Sequence, residues 1–208
     1  MCSVSFSDIK PGIYNYLGFK GVQPSPETDE LIFSCYTEME QTAQFNYLYK
    51  AFDTAPEFLQ KQPYADFLIG TTGVILSAMT IGAEIDRRIR RLTRTDITKA
   101  IIFDACASAY LEAKSDEYEK TIADNLTYRF CPGYGGSSTD DLKHIFNLIH
   151  PEKIGITINE SNFMLPSKSM AGIIGIGKLS KRTCENCFML KNCRYREEGK
   201  RCYSLERT

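Results

Sequence analysis

The sequence is short of histidine, tryptophan, net charge and long apolar runs, and each shortage removes a class of function. It has two histidines, His144 and His150, close together near the end of one expected helix. That leaves little material for a Ser-His-Asp hydrolase or a histidine-rich metal site. No stretch approaches the roughly 18 uninterrupted apolar residues of a membrane span, and the opening MCSVSFSDIK lacks a basic segment followed by an apolar one. The expectation is a cytoplasmic protein with no membrane partner. With 25 basic and 26 acidic side chains the formal net charge is −1, so nothing pulls the whole chain toward nucleic acid and recognition must be local. At 208 residues and 43% apolar, the chain can bury a core without disulfide staples.

What is present is unevenly spread. Of eight cysteines, Cys2, Cys35, Cys106 and Cys131 are scattered, whereas Cys184, Cys187, Cys193 and Cys202 crowd near the C-terminus. From Lys178 onward nine Lys/Arg face four Asp/Glu, a net of +5, which leaves −6 for residues 1–177. The expected organisation is therefore a domain over 1–177 and a basic, cysteine-rich tail over 178–208. In a reducing compartment such a cluster points to a metal rather than to disulfides, and its basic neighbours favour the thiolates that metals need. The spacing C-x2-C-x5-C-x8-C contains one C-x2-C knuckle, where a regular zinc site has two. An iron–sulfur cluster tolerates that irregularity and is the first expectation, zinc the second, and free thiols or disulfides the third. A cluster there could pass an electron, and the positive charge could dock a partner. Phe188, Tyr195 and Tyr203 are few stacking partners for bases, so a nucleic-acid role is not expected.

Along the domain, Tyr14–Gly18 reads as a strand, and Thr28 starts a helix that continues through the aromatic stretch to about Phe52. Val74–Ile81 reads as a buried strand ended by Gly82, and Ala83–Arg94 as a helix carrying five arginines. A longer helix runs from Asp96 to about Asp124, and its Asp104, Ser108 and Glu112 form a polar stripe. That stripe is either a solvated face or one wall of a ligand cleft. A strand near Leu126–Phe130, a glycine turn, a helix from Ser138 to His150, and strands at Ile154–Ile158 and Ala171–Ile176 complete the pattern. Strands separated by helices of differing length predict an α+β, mixed α/β domain.

The densest constellation outside the tail is Arg129-Phe130-Cys131-Pro132-Gly133-Tyr134-Gly135-Gly136. An arginine at a strand end offers a planar fork for a carboxylate, glycines let a backbone approach a ligand, and a tyrosine can stack or donate. These features suit an amino-acid-like or nucleoside ligand, although a Pro-Gly turn is also an ordinary strand-to-helix connection.

The R-x-x-P-G-Y turn, followed some 30 residues later by Asn162-Phe163-Met164-Leu165-Pro166-Ser167-Lys168-Ser169-Met170-Ala171-Gly172, resembles the S-adenosylmethionine-binding activation (reactivation) domain of cobalamin-dependent methionine synthase. Thr80–Asp86 and the helix from Asp104 to Glu112 are similar to its free-standing members. The likeness spans about residues 70–177. It implies a twisted, mainly antiparallel sheet with long helices, and a stand-alone partner that remethylates oxidised cobalamin carried by a methionine synthase or other corrinoid protein. A flavodoxin or ferredoxin would supply the electron. The resemblance assigns Arg129 to the methionine carboxylate, the backbone at Cys131 to a ligand contact, and Tyr134 to packing beside it. Pro132, Gly133 and Gly135 shape that turn, and Glu112 and Asp124 are further candidates for the ligand. Two positions depart from the family: Ala123 stands where the full-length enzymes carry a glutamate, and Ile174 where they carry a ligand-contacting tyrosine. They favour an alternative, a corrinoid-protein chaperone or sensor that binds S-adenosylmethionine weakly or not at all.

Overall fold

The computed structural model describes residues 4–19 and 22–178. Helix α1, Phe6–Tyr16, occupies the segment where a strand was expected. Two local features decide for the helix: Ser5 and Asp8 form a reciprocal capping box, and Ile9 and Ile13, four apart, bury together. Helix α2, Pro26–Thr42, is capped by Ser25 and stops well short of the expected Phe52. The chain becomes extended at Ala43, and strand β1, Asn46–Phe52, follows. In Phe45, Tyr47 and Tyr49 the aromatics recur at every second residue, which suits a strand and not a helix.

A short helix α3, Tyr64–Phe67, precedes strand β2, Gly73–Thr80, which is buried from Val74 onward as its unbroken apolar run requires. Gly82, at φ +91°, turns the chain into helix α4, Ala83–Thr95. Helix α5, Ile97–Glu119, is capped by Asp96, whose side chain accepts from the Lys99 amide. It ends five residues before the expected limit.

Residues 126–130 are not a regular strand. Two isolated antiparallel bridges, Leu126 with Ile176 and Phe130 with Ile173, hold the segment. Four residue steps on one side oppose three on the other, so the ladder slips as at a bulge, and the Thr127 hydroxyl takes the Gly175 amide at 2.8 Å. A 3-10 turn at Thr139–Asp141 leads into helix α6, Leu142–Ile149. Where a strand was expected from Ile154, a 3-10 turn spans Pro151–Ile154, and only strand β3, Thr157–Ile158, is extended. It pairs antiparallel with strand β4, Met164–Leu165. Strand β5, Ser169–Ile176, completes a sheet of order β1-β2-β5. Partner numbers run in opposite directions, Ile81 with Lys168 and Thr72 with Ile176, so β2 and β5 are antiparallel. The fold is the expected mixture of helices and antiparallel sheet.

The described residues form two compact units. The first holds residues up to Leu48, Ala78–Asp124 and His150–Met170. Helices α1, α2 and α4 pack on α5 around fully buried Ile13, Ile32, Met39, Ile85, Phe103 and Cys106. Each such large side chain contributes roughly 1.5–3 kcal/mol relative to exposure. The second unit holds Tyr49–Ser77, Asn125–Ile149 and the residues from Ala171. No helix among the described residues is long and apolar enough to cross a membrane. Cys184, Cys187, Cys193 and Cys202 lie outside the described residues.

Candidate functional site

In the second unit the glycine turn is anchored to β5. The Phe130 amide donates to the Ile173 carbonyl at 2.8 Å and the Ile173 amide returns the bond at 2.8 Å. The Thr127 amide likewise donates to the Gly175 carbonyl at 2.9 Å. This pinning lays Arg129, 5% exposed, across Gly172. A Cβ on Gly172 would overlap Arg129 Cγ and lie 2.8 Å from its Cδ, so glycine is what admits the arginine stem. Gly175 plays the same part beneath Thr71 and Thr127. A guanidinium with its stem held in this way loses little rotamer entropy when an anion arrives.

The turn itself is built from hydrogen bonds that need no ligand. The Ser137 hydroxyl donates to the Tyr134 carbonyl at 2.6 Å and accepts from the Gly133 amide at 3.0 Å. Gly133 and Gly135 have φ of +91° and +59°, and a side chain on Gly135 would strike the Phe130 ring. Pro132 is buried beneath the turn, Cys131 is half-buried, and Tyr134 is 73% exposed. Under Phe130 lies an aromatic bed: Tyr64 edge-on at 5.4 Å, Phe67 at 5.2 Å, and Phe58 against Tyr64. The Tyr64 hydroxyl donates to Asp141 at 2.7 Å, and burial pushes its pKa up. Phe58 also stacks on His144, with ring centroids 5.0 Å apart.

Arg129, Cys131, Pro132, Gly133, Tyr134 and Gly135 are thus brought together in one unit, while Glu112 and Asp124 belong to the other. Asp124 is exposed, and Glu112 accepts from the Tyr16 hydroxyl at 2.6 Å. The polar stripe on α5 has a partner in its own unit: Lys168 Nζ lies 2.8 Å from both Asp104 and the Ser108 hydroxyl. Beside it, Ser167 donates its amide and its hydroxyl to Asp86, each at 2.7 Å. Ile174 is fully buried in β5. Among the described residues no group of three or more His, Cys, Asp or Glu could hold a metal ion. Cys35 and Cys106 are buried, and desolvation pushes their thiols up to about 11 and about 12.

Sequence reasoning missed the aromatic bed of Phe58, Tyr64 and Phe67, whose only signal is their density over ten residues. It also missed Gly175, although the two glycines of β5 inside an apolar strand are a signal of close approach.

An antiparallel sheet with long helices defines an α+β domain, and its buried arginine and glycine turn lie on irregular chain held by a strand. Among solved structures, the fold matches a crystal structure of the MetH reactivation domain bound to AdoHcy, with TM-score 0.60 and 16% sequence identity. The match covers 88% of this chain and 79% of that one. At this identity the likeness is one of fold. No family model matches the sequence, and no curated protein does.

Proposed function

We propose that this chain is a reactivation module that binds S-adenosylmethionine, or its product S-adenosylhomocysteine, and serves a cobalamin-carrying methyltransferase as a stand-alone partner. The observation that carries the reading is Arg129, buried, with its stem seated on Gly172 next to the Arg129–Tyr134 turn. A neighbouring fold that binds AdoHcy supports it. Arg129 would receive the amino-acid carboxylate as a charge-assisted, two-pronged contact. The main chain at Cys131 and the glycines after it would let the ligand lie close to the backbone, and the exposed Tyr134 ring would cover it from solvent. The residues fit the ligand in that a cationic fork, a close-approach backbone and an aromatic lid occur within six positions. The bound cofactor would bring a methyl group already activated by its sulfonium, so the chain's own share is orientation and exclusion of water. Neither acid nor base is required of the turn.

The redox partner of this reading is a flavodoxin or a ferredoxin, and the four tail cysteines would hold an iron–sulfur cluster or zinc. The test is calorimetric titration of the full chain with S-adenosylmethionine and S-adenosylhomocysteine. Binding is expected, and Arg129→Ala should weaken it on the order of ten- to a hundredfold, the worth of one charge-assisted contact of about 1.5–3 kcal/mol. Absence of binding to the unaltered chain overturns the reading. The burial of Ile174 favours a second one, a corrinoid-protein chaperone with no such ligand. Association with a corrinoid protein without any S-adenosylmethionine heat would select it.

A further inference from the structure

Helix α4 turns one face to its own unit and the opposite face to solvent. At about 100° per residue, Ile85, Ile89 and Leu92 share one arc, and Ile85 and Leu92 are buried. Arg87, Arg90, Arg91 and Arg94, spaced i, i+3, i+4 and i+7, fall within roughly 100° of one another on the other side. All four are exposed.

A solvated helix face normally mixes the two signs, so that neighbours one turn apart attract. Here Arg87 is paired with Glu84, while Arg88, off this arc, is paired with Glu38. Arg90 donates its Nε to the Asp86 carbonyl at 3.3 Å, and no carboxylate of the described residues pairs with Arg90, Arg91 or Arg94. Arg87 with Arg91, and Arg90 with Arg94, are like charges four apart, an arrangement that costs a helix stability. The helix dipole accounts for Arg94, in the last turn, but not for Arg87 or Arg90.

We propose that this arginine face binds the phosphate backbone of a nucleic acid without reading its sequence. Charge complementarity selects an anion, and the planar, two-pronged guanidinium suits phosphate oxygens. What else lies on the arc selects which anion. The other residues on it or at its edge are Ala83, Glu84 and Thr95, none of them a large apolar side chain. The exposed isoleucines of α5, Ile97 and Ile101, line a groove with Ile89 and Thr93 and so lie on another side of α4. A protein partner would want an apolar centre to its interface, and a membrane an apolar edge to insert, and the arginine face offers neither. A phosphodiester backbone asks for cations alone. The scarcity of aromatics in the tail does not bear on this face, which meets phosphates and not bases. The inference stands apart from the ligand reading, since no residue is shared.

The test uses the full chain and a short fluorescein-labelled DNA duplex, read by anisotropy as salt is raised. Saturable binding is expected, with log K falling against log salt at a slope of about −3, one unit for each unpaired arginine. Arg90→Ala/Arg91→Ala/Arg94→Ala should weaken binding on the order of tenfold or more and bring the slope toward zero, while Arg90→Lys/Arg91→Lys/Arg94→Lys keeps the slope. Because these side chains are exposed, circular dichroism should be unchanged in both variants. Absence of saturable binding overturns the proposal, as does a marked preference between duplexes of different sequence. So does binding that the alanine variant retains in full, which assigns it to the basic tail, net +5 from Lys178. Equal competition by polyglutamate, or by vesicles of anionic phospholipid, at matched charge also overturns it, since each assigns the face another occupant.

Discussion

Arg129 and Gly172 are far apart in the chain and act as one feature. A methyl group on Gly172 would overlap the arginine stem, so Gly172→Ala should destabilise the protein by about 1–3 kcal/mol through overpacking. In an Arg129→Ala background most of that cost should vanish, because the atoms it meets are gone. A double-mutant cycle by chemical denaturation measures this, and additive effects would refute the packing argument. Arginine and turn were both legible in the sequence as one local constellation; the glycine that seats the arginine was legible only as the end of a resemblance, since contact across forty residues leaves no local mark. The cysteines divide by the same logic of burial. Cys35 and Cys106 have thiols pushed up to about 11 and about 12 by desolvation, so in the native protein near pH 8 iodoacetamide should leave both unmodified while the half-buried Cys131 reacts. Peptide mass spectrometry with time reads the order, and early loss of Cys106 would contradict it.

Among the elements, α1 and α2 are joined by Asp29, which accepts from Lys10 at 2.6 Å and from the Tyr14 hydroxyl at 2.5 Å. The Lys10 bond, then the Tyr14 bond, hold the Asp29 carboxyl below its ordinary value. A group with a lowered folded pKa stabilises above its unfolded pKa and loses that stabilisation as pH falls through the folded one. Asp29→Asn should therefore lower the melting temperature slightly at pH 7, and the gap to the unaltered protein should close below about pH 4. A gap that persists into strong acid would mean that Asp29 acts by packing. Element identity was readable where one period dominated: the buried run of β2 and the helix α4 came out within one residue, and α5 began within one and ended five residues early. It failed at α1, where the capping box outweighed an aromatic pattern, and at residues 126–130, where the slip against β5 is set by the partner strand and not by the segment.

At the scale of the whole molecule, near-neutral charge averages unlike parts. The five-arginine helix α4 and the basic tail offset an acidic remainder, and each basic part asks for a different explanation. For the tail the expected metal is testable directly: anaerobically purified protein should carry iron and acid-labile sulfide with visible charge-transfer bands, or else stoichiometric zinc. Replacing Cys184 and Cys187 by serine should abolish either. Protein free of iron and zinc would leave the cysteines as thiols or disulfides. The sequence by itself determined the class of fold, the span of β2 and α4, and the uneven spread of cysteine and positive charge toward the C-terminus, because each is written in local period, composition or spacing. Only the tertiary structure decided that Arg129 rests on Gly172 and that Lys168 engages the stripe on α5. Those are contacts between residues distant in the chain, fixed by which backbones can approach and which charges find partners, and no local pattern encodes them.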